Sequence, residues 1–139
     1  MNDHTESPTR RSSSLAMWAG YLLMAIPVIH MFLAISATFE MWQNIFAEGF
    51  WNTVAAPWTT EDVERQRNFW TQVGSFSVPM FFLGISIVWT ASRNRQLPSF
   101  LGWSLLVYSF VSGFMAPAGG FWLIAIPGYL LIMHTRRWQ

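Results

Sequence analysis

The chain has 139 residues, of which 53% are hydrophobic, 17% aromatic and only 11% charged, and its mean hydropathy is +0.30. A soluble domain carries about 25% charged residues, so an ordinary soluble enzyme is excluded. With no cysteine, 9 glycines and 7 prolines, a disulfide scaffold, collagen and a disordered chain are excluded too. What remains is one compact, all-α integral membrane protein of the polytopic kind.

Residues 1–14, rich in Ser, Thr and charge, read as a disordered cytoplasmic tail. The first apolar run, Leu15 to Phe39, carries no formal charge, and its helical pattern continues through Met41–Phe46. It is longer than the 7–15-residue core of a signal peptide, so it reads as a retained span. Arg10-Arg11 resembles a twin-arginine start only in those two residues. Gly49-Phe50-Trp51-Asn52 breaks the helix. The 40–60 stretch that follows is too apolar for a free loop, and is expected to lie on the outer membrane surface or to act as a lid over a cavity. Thr60 before Glu61-Asp62 is a helix start, and Glu61 and Arg65 sit at pairing distance on its surface. The domain 15–139 is thus predicted to hold four transmembrane helices, at about 15–42, 60–92, 98–116 and 120–138, in an antiparallel bundle. About 20 apolar residues cross a ~30 Å hydrocarbon core. The last two runs are short and are joined through Pro117-Ala118-Gly119-Gly120, a turn signal.

All eight basic residues are arginines, and they come in pairs: Arg10 and Arg11, Arg65 and Arg67, Arg93 and Arg95, Arg136 and Arg137. In a four-span chain the first, third and fourth pairs share one side, which the positive-inside rule makes cytoplasmic. The expectation is therefore a multi-pass protein of the inner (plasma) membrane with both termini inside. The nine tryptophans agree as interfacial belts. Trp18, Trp89, Trp103 and Trp138 stand at cytoplasmic ends, Trp42, Trp70 and Trp122 at opposite ends, and Trp51 and Trp58 in the outer loop.

Function in such a protein is expected from polar groups at apolar depth. His30 lies about 10 residues, or ~15 Å of helix rise, from Glu40, near the bilayer middle. Its face reads Ala16, Gly20, Leu23, Pro27, His30, Ala34, Ala37, and small residues mark a packed side. On the second span Asn68, Gln72, Ser75, Pro79, Ser86 and Thr90 form one stripe, with Val73, Phe76 and Met80 turned toward lipid or apolar packing. Ser104, Tyr108 and Ser112 repeat on the third. His30 and Tyr108 are the candidate catalytic residues. His30 is tunable as acid or base near neutral pH. Gln72, Ser75, Asn68, Ser112 and Glu40 are the candidate substrate-binding residues. Each could equally be a structural hydrogen bond of about 1 kcal/mol between helices. No metal site or other cofactor is expected, because Cys is absent and no His pair stands at i, i+4. The arginines are a topology signal before a nucleic-acid patch, so no nucleic-acid partner is expected. The leading expectation is a buried polar pocket for a lipophilic small molecule, with isomerase- or cyclase-type proton transfer. The alternative is an accessory subunit or small exporter, acting as a homo-oligomer or beside a partner membrane subunit.

His30 in the first helix, Phe69-Trp70 opening the second, Leu97-Pro98 with Leu101-Gly102-Trp103 opening the third, and Pro117 with Gly120-Phe121-Trp122 opening the fourth carry a resemblance. Over about residues 16–138 the chain resembles a widespread family of small four-helix bacterial membrane proteins of uncharacterised function. The resemblance implies a four-helix architecture and supplies no activity. Looser similarity in size and topology links it to small membrane oxygenases and isomerases of secondary metabolism, none of whose catalytic motifs is matched.

Overall fold

The computed structural model describes residues 8–49, 53–54 and 60–137. Among them the chain is all-α, with no strand and six α-helices: α1 (Pro8–Ala37), α2 (Phe39–Glu48), α3 (Thr60–Thr71), α4 (Ser77–Ser92), α5 (Ser99–Met115) and α6 (Ala125–Arg136). A short 3₁₀ turn, Phe121–Ile124, leads into α6. The stretch Ser14–Ala37, with mean hydropathy 1.9 over its best window, is long and apolar enough to cross a membrane. The apolar helices α4 and α5, of 16 and 17 residues, are shorter than a full crossing.

Helix starts and stops differ from expectation for local reasons. Pro8 opens α1, where its missing N–H is no loss, so residues 8–14 are helical rather than part of a tail. The first helix ends at Ala37 instead of running to 42. Ser36 and Thr38 donate their hydroxyls to the carbonyls of Phe32 and Ala34, at 2.7 and 3.0 Å, and such back-bonding bends helices. Helix α2 resumes at Phe39 and stops at Gly49, whose φ of 90° is left-handed and whose N–H closes onto the carbonyls of Ile45 and Phe46.

The expected single helix over 60–92 is two helices, broken across 72–76. Pro79 is the cause. Inside a continuous helix it would lose a hydrogen bond and clash with the carbonyl four residues back. As the third residue of α4 it stands where N–H groups need no helical partner. The Ser75 hydroxyl accepts the Ser77 N–H at 3.2 Å and caps the new start. The break also resets the helical phase, so the polar stripe is not one face. Gln72 and Ser77 are buried, whereas Pro79 and Ser86 are exposed. Val73 and Phe76 are exposed and Met80 is buried.

The chain forms two compact units. The first comprises the described residues up to Ile26 and those from Phe81 onward. Its seams are glycines. A Cβ on Gly20 would lie 2.9 Å from the Gly84 carbonyl, and one on Gly84 would lie 2.7 Å from the Gly20 carbonyl. Likewise, a Cβ on Gly102 would meet the Gly128 carbonyl at 2.8 Å. Helices α1 and α4, and separately α5 and α6, therefore touch backbone to backbone, as small residues allow. Ser109, fully buried, donates to the Phe121 carbonyl at 2.8 Å and holds the 3₁₀ turn on α5. The second unit is Pro27–Met80.

Candidate functional site

The candidate residues divide between the units. Tyr108 and Ser112 belong to the first, and His30, Glu40, Asn68, Gln72 and Ser75 to the second. Tyr108 packs edge-on against Phe121 at 6.1 Å between centroids. The small-residue face of α1 is buried through Ala16, Gly20, Leu23 and Pro27, but beyond Pro27 it is exposed at His30. His30 thus stands on an open face rather than a packed one. Its Nε2 lies 3.2 Å from the Thr71 carbonyl, which ends α3. A carbonyl only accepts, so Nε2 carries the proton and the imidazole closes one orphan group of the broken helix.

Gln72 is the best-connected polar group of the second unit. It is 3% exposed. Its Oε1 accepts the indole N–H of Trp42 at 2.7 Å. Its Nε2 donates to Thr38 Oγ1 at 3.0 Å and to the Ala34 carbonyl at 3.3 Å. One carboxamide therefore joins the end of α1, the body of α2 and the end of α3. A buried amide is tolerable only when satisfied in this way. Trp42, expected in an interfacial belt, is buried instead because Gln72 takes its N–H inside. Trp18, Trp70, Trp89, Trp103 and Trp122 are exposed, while Trp51, Trp58 and Trp138 lie outside the described residues.

Two open grooves flank α2. The first, of about 580 Å³, is the more polar of the two and is lined by Ser36, Glu40, Asn44, Glu64, Arg65 and Asn68 together with Phe39. Arg65 is turned to Glu48, donating through two nitrogens at 2.6 and 3.2 Å. The side chain of Glu61, its expected partner, lies outside the described residues. Asn68 donates weakly to Met41 Sδ at 3.6 Å. The second groove, of about 760 Å³, is apolar and is lined by Ile35, Phe39, Trp42, Gln43, Phe46 and Val73. Phe39 lines both grooves. Sequence reasoning found Glu40 and Asn68 but missed Phe39, Asn44 and Glu64, and it missed Thr38 and Trp42 as partners of Gln72. The signal for Thr38 and Trp42 was a four-residue spacing that matches one helical turn.

Among the described residues no group of three or more His, Asp or Glu side chains could hold a metal ion.

These features define an all-helical, strongly apolar chain with a polar-clamped unit and two adjoining grooves. The chain belongs to the family of unknown function DUF6463, which matches it over residues 14–138. No curated protein and no solved structure matches it.

Proposed function

We propose that the chain is a small multi-pass inner-membrane protein, with both termini cytoplasmic, that holds a lipophilic small molecule beside α2. The observation that carries the reading is the apolar groove of Ile35, Phe39, Trp42, Phe46 and Val73, which joins a polar groove at Phe39. Binding sites are concave, mostly apolar and tipped with a few polar groups. The bilayer setting is supported by large apolar side chains exposed on several helices, among them Phe32 at 71%, Phe114 at 86% and Met115 at 80%. Such a surface would drive aggregation in water and suits hydrocarbon. Six arginines on the proposed inner side against two outside favour this orientation.

At His30, Nε2 donates to the Thr71 main-chain carbonyl, which leaves Nδ1 as the acceptor nitrogen of the ring. Two experiments test the proposal. Reporter fusions at both termini should read cytoplasmic; a periplasmic signal from either breaks the topology. A photoactivatable alkyl probe in lipid nanodiscs should label peptides containing Phe39 and Val73 saturably. Val73→Trp, which fills the apolar groove, should abolish that labelling. Labelling that does not saturate, or that Val73→Trp leaves unchanged, overturns the binding reading.

A further inference from the structure

The two grooves beside α2 differ in chemistry and share Phe39 in their linings, and this selects among lipophilic ligands. The inference rests on the groove reading above and names its ligand class. Three charged groups line the polar groove: Glu40, Glu64 and Arg65. Arg65 is held by Glu48 through a two-point contact, so its charge is answered from outside the lining. Glu40 and Glu64 are exposed and have no ion-pair partner among the described residues. The groove therefore presents two carboxylates with no ion-pair partner among the described residues, beside the Asn44 and Asn68 side chains. That set suits a donor-rich cation. It repels a phosphate, sulfate or carboxylate head, since like charges set side by side in one groove disfavour binding. At the junction Phe39 is 58% exposed and offers an aromatic face, which attracts a cation on one side and packs against hydrocarbon on the other. The neighbouring apolar groove, about 760 Å³ in volume, is large enough for an alkyl chain.

We infer that the site takes a lipophilic ammonium. The positively charged head lies in the polar groove between Glu40 and Glu64, and the tail runs past Phe39 over Trp42, Phe46 and Val73. Arg65 and Glu48 hold the wall rather than the ligand. A primary ammonium carries three donors and no acceptor, which matches an acceptor-rich lining better than a quaternary head would.

The test uses the full chain in neutral-lipid nanodiscs and three probes that share one diazirine-bearing dodecyl tail, headed by ammonium, hydroxyl or sulfate. The ammonium probe is expected to half-saturate labelling of the α2 peptide at a concentration at least about tenfold below the other two, the scale of one or two charge-assisted hydrogen bonds. The double variant Glu40→Gln with Glu64→Gln is expected to erase that preference, so that the ammonium and hydroxyl probes half-saturate at similar concentrations. Both positions are exposed, so the variant should fold, and an unchanged thermal melt verifies it. Equal saturation by all three probes overturns the ammonium assignment and leaves the groove reading standing. A preference that survives the double variant also overturns it, because the carboxylates would not be its source. No saturable labelling by any probe overturns both.

Discussion

Where α1 meets α4, and again where α5 meets α6, a glycine lies against a glycine and main-chain carbonyls lie under 3 Å from where a Cβ would sit. In the 27–80 unit the joins are made by side-chain hydrogen bonds instead: Gln72 to Thr38, Trp42 and Ala34, and His30 to Thr71. Intact helices satisfy their own backbone, so they need only close contact, which glycine permits. Broken helices leave carbonyls and N–H groups without partners, and those must be closed by side chains. The price of the second solution is looser packing, and both grooves lie in the unit that uses it.

The largest effect should come from the glycine seams. Gly102→Val places a Cβ against the Gly128 carbonyl and the Ile132 backbone nitrogen, at 2.8 and 2.9 Å. Neither atom can move without shifting α6. We expect a cost of about 1–3 kcal/mol or more, read as a lowered melting temperature and poor recovery from detergent. A Gly102→Val protein that melts like the parent would break the claim that this seam is set by backbone contact.

The polar clamp comes next. Gln72→Leu keeps the volume but leaves the buried Trp42 indole N–H without its acceptor. A lost buried partner costs about 1–3 kcal/mol. Trp42→Phe in the Gln72→Leu background should then cost far less than it does alone, because the two groups are coupled. Additive losses in a thermal double-mutant cycle would show that the 2.7 Å contact carries no energy.

These contrasts bear on what could be read from the sequence. The all-helical class, the apolar run that forms α1 and the start at Thr60 followed from composition and a Thr signal, which act locally. The break at 72–76 had its cause in plain sight at Pro79. The stripe of Gln72, Ser75 and Pro79 was read as continuous because a 3.6-residue period carries across a short interruption. Thr38 was passed over for a similar reason: a back-bonded threonine looks like any helical residue until its carbonyl partner is known. Gln72 was identifiable as polar at apolar depth, but its partners come from residues 30 or more positions away, and no local signal encodes them. The grooves were least legible. They exist because helices stop, and the sequence pointed only to a region near 40–60.

A smaller effect is expected at His30. Its one hydrogen bond reaches an exposed face, so His30→Ala should lower stability by about 1 kcal/mol, the ordinary value for such a bond between membrane helices. Probe binding at the groove should be retained. If His30→Ala abolished binding at unchanged stability, the histidine would belong to the ligand site and the division between clamp and groove would fail.

The smallest effect belongs to Glu48 and Arg65. The contact is two-pronged, with a shortest distance of 2.6 Å, but the Glu48 side chain is 47% exposed against 12% for Arg65. Water and salt screen the outer partner, and exposed pairs are worth about 0–1 kcal/mol. Glu48→Gln should therefore shift the melting point slightly, and less at 1 M salt, where the screening length falls to about 3 Å. Its second consequence is sharper. Removing the Glu48 carboxylate shifts the charge on the wall of the polar groove toward positive, opposing a cationic head and favouring an anionic one. Among the three head-group probes, Glu48→Gln should narrow the gap between ammonium and sulfate with little change in stability. If that gap instead stays constant while the melting point falls by several degrees, Arg65 is a structural post whose charge the groove does not feel.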